Sequence, residues 1–254
     1  MKQKILVHSF VCISFLLVIL LTGCKKDTIF KTYAKPQTVI ASNSGDTLHL
    51  HGDTVYVLTT NLVISAGQVL IIDAGTLIKV NDRLSIVIKK GGRIEAKGTA
   101  IQPIVFTSSA FKGTPGFISY TSAQFEHAWN GIEIDGNYPS NIDSTSIGTG
   151  ILNYVRIEFA GTTNNFSRTP CLLLQDIGSG TVIENVQVSY SVAATSIAFS
   201  GGNVNARNLV SYASGGSDLY LQDGYKGMLQ NILAYRHPYF APQLGSGTSV
   251  AGVL

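Results

Sequence analysis

Residues 181–235 read TVIENVQVSYSVAATSIAFSGGNVNARNLVSYASGGSDLYLQDGYKGMLQNILAY, and this stretch repeats itself. Asn185, Asn208 and Asn231 stand 23 residues apart. Each is followed by an apolar residue (Val186, Leu209, Ile232) and preceded two positions earlier by another (Ile183, Ala206, Leu229). Between them run second apolar pulses, at Ile197-Ala198-Phe199 and Leu219-Tyr220-Leu221, bordered by glycines. No segment here sustains the i, i+3, i+4, i+7 pattern of a helix. A fixed period made of short strands and bends, with no helix to cross back, has to coil, each turn stacking on the last about 4.8 Å away. The fold class is therefore all-β, a parallel β-helix with about 22–23 residues per coil. At a sharp bend between two strands one residue must accept a left-handed backbone, which Asn does more cheaply than most. Stacked on successive turns, Asn185, Asn208 and Asn231 are expected to form a structural side-chain ladder.

The same coil runs further forward. Residues 61–108 alternate short β-branched runs with bends at Gly67, Gly75, Gly91-Gly92 and Gly98. Ile64 and Ile86, and likewise Ile72 and Ile94, are 22 apart. Polar insertions at 111–124, 137–150 and 162–170 interrupt the period, and loops that leave a coil at its bends are where binding function is built. Charged residues make up only 13% of the chain and Gly 26 of its 254 residues, a composition that suits a long narrow core with tight corners. Net charge is +3, and Lys2 and Lys4 supply two of those charges from the leader. The rest is near neutral, which excludes a general nucleic-acid binder.

Residues 1–23 form a leader: a basic start, an apolar run over 5–21, then Leu21-Thr22-Gly23-Cys24. That order resembles the bacterial lipobox. The resemblance implies cleavage after Gly23, lipid on Cys24 and stable membrane anchoring by its acyl chains. Residues 24–47 are expected to be a flexible tether and 48–254 the β-helix. Adding one period to Asn231 lands on Leu254, so the closing residues 248–254 are expected to open a further turn. The expectation is that the β-helix is incomplete at the C-terminus, as the front part of a longer protein or with a partner over its end. Cys12 leaves with the leader and Cys24 carries lipid, so Cys171 is expected to be a buried small hydrophobe with no disulfide.

The run ending in Ala96-Lys97-Gly98-Thr99-Ala100, then PIVFTS (103–108), WNGIEIDG (129–136), YVRIEFAG (154–161), GSGTVIENVQVSYS (178–191), GGNVNARNLVSYAS (201–214) and DGYKG (223–227), resembles right-handed β-helix lipoproteins of Bacteroidota-type bacteria. The resemblance covers residues 62–235. It implies a right-handed coil on an outer-membrane lipoprotein, facing the cell surface or the periplasm, in a family without assigned chemistry. Where family members carry acidic runs, this sequence has Val192-Ala193-Ala194-Thr195 and retains Asp218 and Asp223.

The enzymatic precedent for such a coil is polysaccharide cleavage. Glu133 and Asp135 alternate onto one strand face, about 6–7 Å apart, within the range a hydrolase needs for its two carboxylates. Arg156 and Glu158 do the same about one turn later, which makes the four a candidate acid/base cluster. The Asn-Thr-Asp, Asp-Asp and Gly-His-Gly signatures of galacturonases are missing, and this favours a solvated outer face instead. Trp129, Tyr212 and Tyr235 are the candidate glycan contacts. Tyr212 and Tyr235 are 23 apart, with Tyr190 and Phe159 on earlier turns. Facing outward they make a platform for sugar rings; facing inward they are core. His127 and His237 have no second His at ligand spacing, and no metal or cofactor is expected. The reading is a non-enzymatic, lipid-anchored envelope β-helix contacting polysaccharide or a surface protein. The alternative is a polysaccharide lyase or glycoside hydrolase acting on an acidic or complex polysaccharide.

Overall fold

The computed structural model describes residues 35–41, 45–110, 128–137, 149–163, 168–191, 195–235 and 250–251. They form a right-handed parallel β-helix with three sides and, among the described residues, no helix. β1 (Gln37–Ile40) leads in on the second side, paired with β3. The first full turn is β2 (Thr47–Leu50), β3 (Val55–Leu58) and β4 (Leu62–Ile64). The second is β5 (Val69–Ile72), β6 (Leu77–Val80) and β7 (Ser85–Ile88), and the third β8 (Arg93–Lys97), β9 (Ile104–Ser108) and β10 (Gly131–Asp135). From the fourth turn the first two sides fuse into one long strand per turn. These are β11 (Gly150–Glu158), β15 (Val182–Ser189), β17 (Ala206–Tyr212) and β19 (Leu229–Tyr235). The third side continues as β14 (Leu172–Gln175), β16 (Ile197–Ser200), β18 (Leu219–Gln222) and β20 (Val250–Ala251). Within the third insertion, β12 (Thr162–Thr163) and β13 (Arg168–Thr169) pair as a small antiparallel hairpin.

Period-two alternation drives each strand inward on one face. Leu70 and Ile72, Ile78 and Val80, Ile86 and Ile88, and Ile132 and Ile134 are all buried, while their in-between neighbours on β5, β6 and β7 stay partly exposed. Stacked turn on turn, these side chains make one continuous core along the axis. The 22-residue spacing holds between β2 and β5 and between β3 and β6, but not between β4 and β7 or β5 and β8. Ile64 lies level with Ile88, and Ile72 with Ala96. The slip is two residues, one strand repeat, so every side chain keeps its face while its partner changes.

Two boundaries also move. Residues 37–40, expected within the tether, pair with β3, because Ile40 is already a core side chain. Val250–Ala251 pairs with β18 on the third side, so it continues the turn that β19 begins and does not open a new one. Cys24 and the rest of the leader lie outside the described residues.

The corner between the first and second sides organises the coil. β8 pairs with residues 150–153 of β11 and β9 with residues 155–157, and Tyr154 between them takes φ +51°. Level with Tyr154 on later turns are Asn185 (φ +54°), Asn208 (+56°) and Asn231 (+58°). Asn231 Nδ2 donates to Asn208 Oδ1 at 3.0 Å and Asn208 Nδ2 to Asn185 Oδ1 at 2.9 Å. Asn185 Nδ2 then donates to Asn153 Oδ1 at 2.8 Å. The ladder thus runs one residue beyond the three evenly spaced asparagines. Asn153 heads it from the column beside the bend, since Tyr154 occupies the left-handed position on that turn. In the first two turns the same corner is a short loop. A β-carbon on Gly52 would collide with the Ala74 carbonyl oxygen, so the corners at His51 and Asp73 stack tightly only because residue 52 is glycine.

Candidate functional site

Glu133 and Asp135 stand on the outward face of β10, with Ile132 and Ile134 buried beneath them. The register puts Lys89, one residue past β7, level with Asp135 on the preceding turn. Its Nζ lies 3.2 Å from Asp135 Oδ2 and 3.7 Å from Glu133 Oε1. Burial first, and then the neighbouring Asp135 charge, push the Glu133 carboxyl above its ordinary value against the opposing pull of Lys89. The hydrogen bond to Asp135 raises the Lys89 ammonium in turn, which keeps it protonated. A lyase base has to be free of its proton, so Lys89 is unsuited to that role. The three groups form a charged patch on the third side.

Arg156 and Glu158 belong to the other sheet, on the second side, so the structure does not assemble the four expected acid/base residues into one cluster. Glu158 is also no surface acid. It alternates outward from Ile157, level with Thr107, yet is only 1% exposed. Burial pushes its carboxyl up to about 7, opposed by the Arg156 charge and the nearby Thr107 hydroxyl. A carboxyl raised in the folded state binds its proton more tightly folded than unfolded. Its stabilising contribution is complete below the ordinary value near 4.5 and is lost as pH rises through about 7. Glu158→Gln removes that loss. The variant should match the parent at about pH 4 and exceed its stability by about 1–3 kcal/mol at about pH 8.5. Urea midpoints measured across that range check this, and parallel pH curves for the two proteins contradict it.

Trp129 is removed from the glycan contacts. It is fully buried, bridges to Ala160, packs against Phe106 with centroids 6.4 Å apart, and donates its indole N–H to the Glu158 carbonyl oxygen at 2.9 Å. It is a core residue of the third and fourth turns.

The other aromatics make a graded row outside the main core. Phe159 and Tyr190 stack at 5.2 Å and 18°, Tyr190 meets Tyr212 edge-on at 5.5 Å, and Tyr212 and Tyr235 lie parallel at 5.2 Å and 5°. Phe159, Tyr190 and Ala213 form a second buried cluster, with Tyr212 half-buried against it. Register explains the change from parallel to edge-on. Tyr190 is level with Ala213, and Tyr212 with Ser189, so the row shifts by one column between those turns. Tyr235, at 47% exposed, is the open end of the row.

One cluster was missed in the sequence. His49 and His51 on and just past β2 face outward around buried Leu50, and Asp73 sits level with His51 on the next turn. The signal was present as His-x-His alternation within LHLH and as the 22-residue interval from His51 to Asp73. Cys171 is fully buried, its thiol pushed up by burial and directed at the Ala160 carbonyl oxygen at 3.1 Å, so it offers no nucleophile.

Residues 42–240 match the family model described as a pectate-lyase-like beta helix domain. No curated protein and no solved structure matches the chain.

Proposed function

We propose a function from one premise: this chain belongs to the family of pectate-lyase-like beta helix domains. The protein is a polysaccharide-binding module of the bacterial envelope, held to the outer membrane through lipid on Cys24, and it engages its polymer without cutting it. The observation that carries this reading is the parallel Tyr212–Tyr235 pair, which ends in a ring 47% exposed. A flat, partly open aromatic face suits the C–H faces of sugar rings, and its pre-stacked geometry lowers the ordering cost of binding. The Lys89–Glu133–Asp135 patch adds polar groups for hydroxyls on another side of the coil.

A glycan-array screen of the protein without its leader tests the binding. The parent should retain a defined set of polysaccharides, and Tyr235→Ala should bind them about three- to tenfold more weakly. Equal binding by parent and variant would remove the tyrosines from the site. Anchoring is tested separately. Cys24→Ser should accumulate as a larger unprocessed precursor, and maturation to the parent's size would refute lipidation at Cys24.

A second reading, cleavage of an acidic or complex polysaccharide, is favoured by one observation: the raised Glu133 carboxyl beside Asp135. In that case Glu133 is the proton donor, and Glu133→Gln abolishes product formation.

A further inference from the structure

His49, His51 and Asp73 converge on one point at the corner of the first two turns. Strand alternation points both imidazoles outward, with Leu50 buried between them, and brings the ring centroids to 4.2 Å. The parallel pairing of β2 with β5 carries Asp73 level with His51. The Asp73 carboxylate divides between the rings, Oδ1 at 2.7 Å from His49 Nε2 and Oδ2 at 3.0 Å from His51 Nδ1. Three potential ligand atoms, one from each residue, lie within 4.8 Å of one another. Lys35 Nζ spans the same pair of corners, hydrogen-bonded to the Gly52 and Gly75 carbonyl oxygens at 2.5 and 2.9 Å.

We propose that His49, His51 and Asp73 form a zinc site that staples the first two turns of the coil. Two imidazole nitrogens and one carboxylate oxygen are a donor set that zinc takes readily, whereas calcium and magnesium require more oxygens. Zinc bonds of about 2.0–2.2 Å at tetrahedral angles place neighbouring ligand atoms about 3.3–3.6 Å apart. The 2.7 Å contact to one carboxylate oxygen and the 4.8 Å limit on the separations among the three ligand atoms bracket that range, so small side-chain rotations bring the three to it. Both imidazoles are exposed, with side chains 42% and 57% accessible, so this adjustment disturbs no core packing. Each ring nitrogen that now shares a proton with Asp73 becomes a ligand when that proton resides on the other nitrogen of the same ring, which leaves the imidazole neutral. The fourth coordination position faces solvent. Because the ligands come from two successive turns, the ion binds the folded coil and not the unfolded chain, and it stabilises the N-terminal end.

Zinc chloride titrated into the full chain in detergent, followed by calorimetry, tests this directly. One equivalent should bind, and zinc at about a hundredfold above Kd should raise the unfolding temperature by about 5–10 °C. His49→Ala and His51→Ala should each weaken binding at least about tenfold, and the double variant should abolish both the heat and the thermal shift. His51→Gln keeps a donor for Asp73 but removes the imidazole ligand, and it should lose zinc while melting like the metal-free parent. Absence of binding to the parent, or unchanged binding in the folded double variant, overturns the proposal and leaves a hydrogen-bonded surface triad only.

Discussion

Trp129→Ala is expected to cost about 3–5 kcal/mol, the largest effect of any single substitution considered for this coil. The indole is fully buried between turns and packs against Phe106. The loss has two components. Removal of the ring leaves a cavity beside Phe106, and the Glu158 carbonyl oxygen loses the N–H that it accepts at 2.9 Å. Trp129→Phe should separate them. It restores most of the packing and sacrifices the hydrogen bond, at a cost of about 1–2 kcal/mol. Urea unfolding of the parent and both variants measures this. A Trp129→Ala protein as stable as the parent would show that the side chain is not in the core and would return it to the candidate glycan contacts.

Breaking the asparagine ladder at its centre should cost nearly as much. Asn208 accepts from Asn231 and donates to Asn185, so Asn208→Leu removes two hydrogen bonds and leaves both neighbours short of a partner. It also forces a leucine to φ +56°, where a β-carbon crowds the backbone. Together these give about 2–4 kcal/mol. Asn208→Gly relieves the backbone strain while still breaking the ladder, and should fall near 1 kcal/mol, about the net value of the lost hydrogen bonds. Equal stability of the leucine variant and the parent would mean that the ladder contributes nothing beyond the backbone pairing of β15, β17 and β19. A glycine variant as damaging as leucine would mean that the lost hydrogen bonds, and not backbone strain, set the cost.

These residues also show what a one-dimensional pattern carries. Alternation identifies which face of a strand is apolar, so the inward Ile and Leu columns and the coil itself were legible from spacing alone. The asparagines were legible because their period is undisturbed at 23 through three turns. Asn153 was not, because the hairpin insertion stretches the interval and Tyr154 takes the left-handed place. The pairings of β4 with β7 and of β5 with β8 run at 24 residues instead of 22, a slip that alternation cannot detect since it preserves every face. The insertion at 111–124 hides the pairing of Lys89 with Asp135 from spacing, whereas His51 and Asp73 stand at the 22-residue period itself. Glu158 illustrates a different limit. Its place in the strand says outward, yet it is buried, because alternation describes a sheet and not what covers it. Trp129 precedes its strand, separated by Asn130 from Gly131, whose φ of +119° breaks the extended geometry, so the alternation of WNGIEIDG could not be extended back to it.

Binding and cleavage leave different marks on a polysaccharide's chain length. Size-exclusion chromatography of a bound polysaccharide, after prolonged incubation with the parent and with Glu133→Gln, reads that chain length. Both proteins should retain the polymer, and its length distribution should stay that of the untreated sample. Shortening by the parent that disappears with Glu133→Gln would contradict binding without cleavage and make the third-side carboxylates an active site.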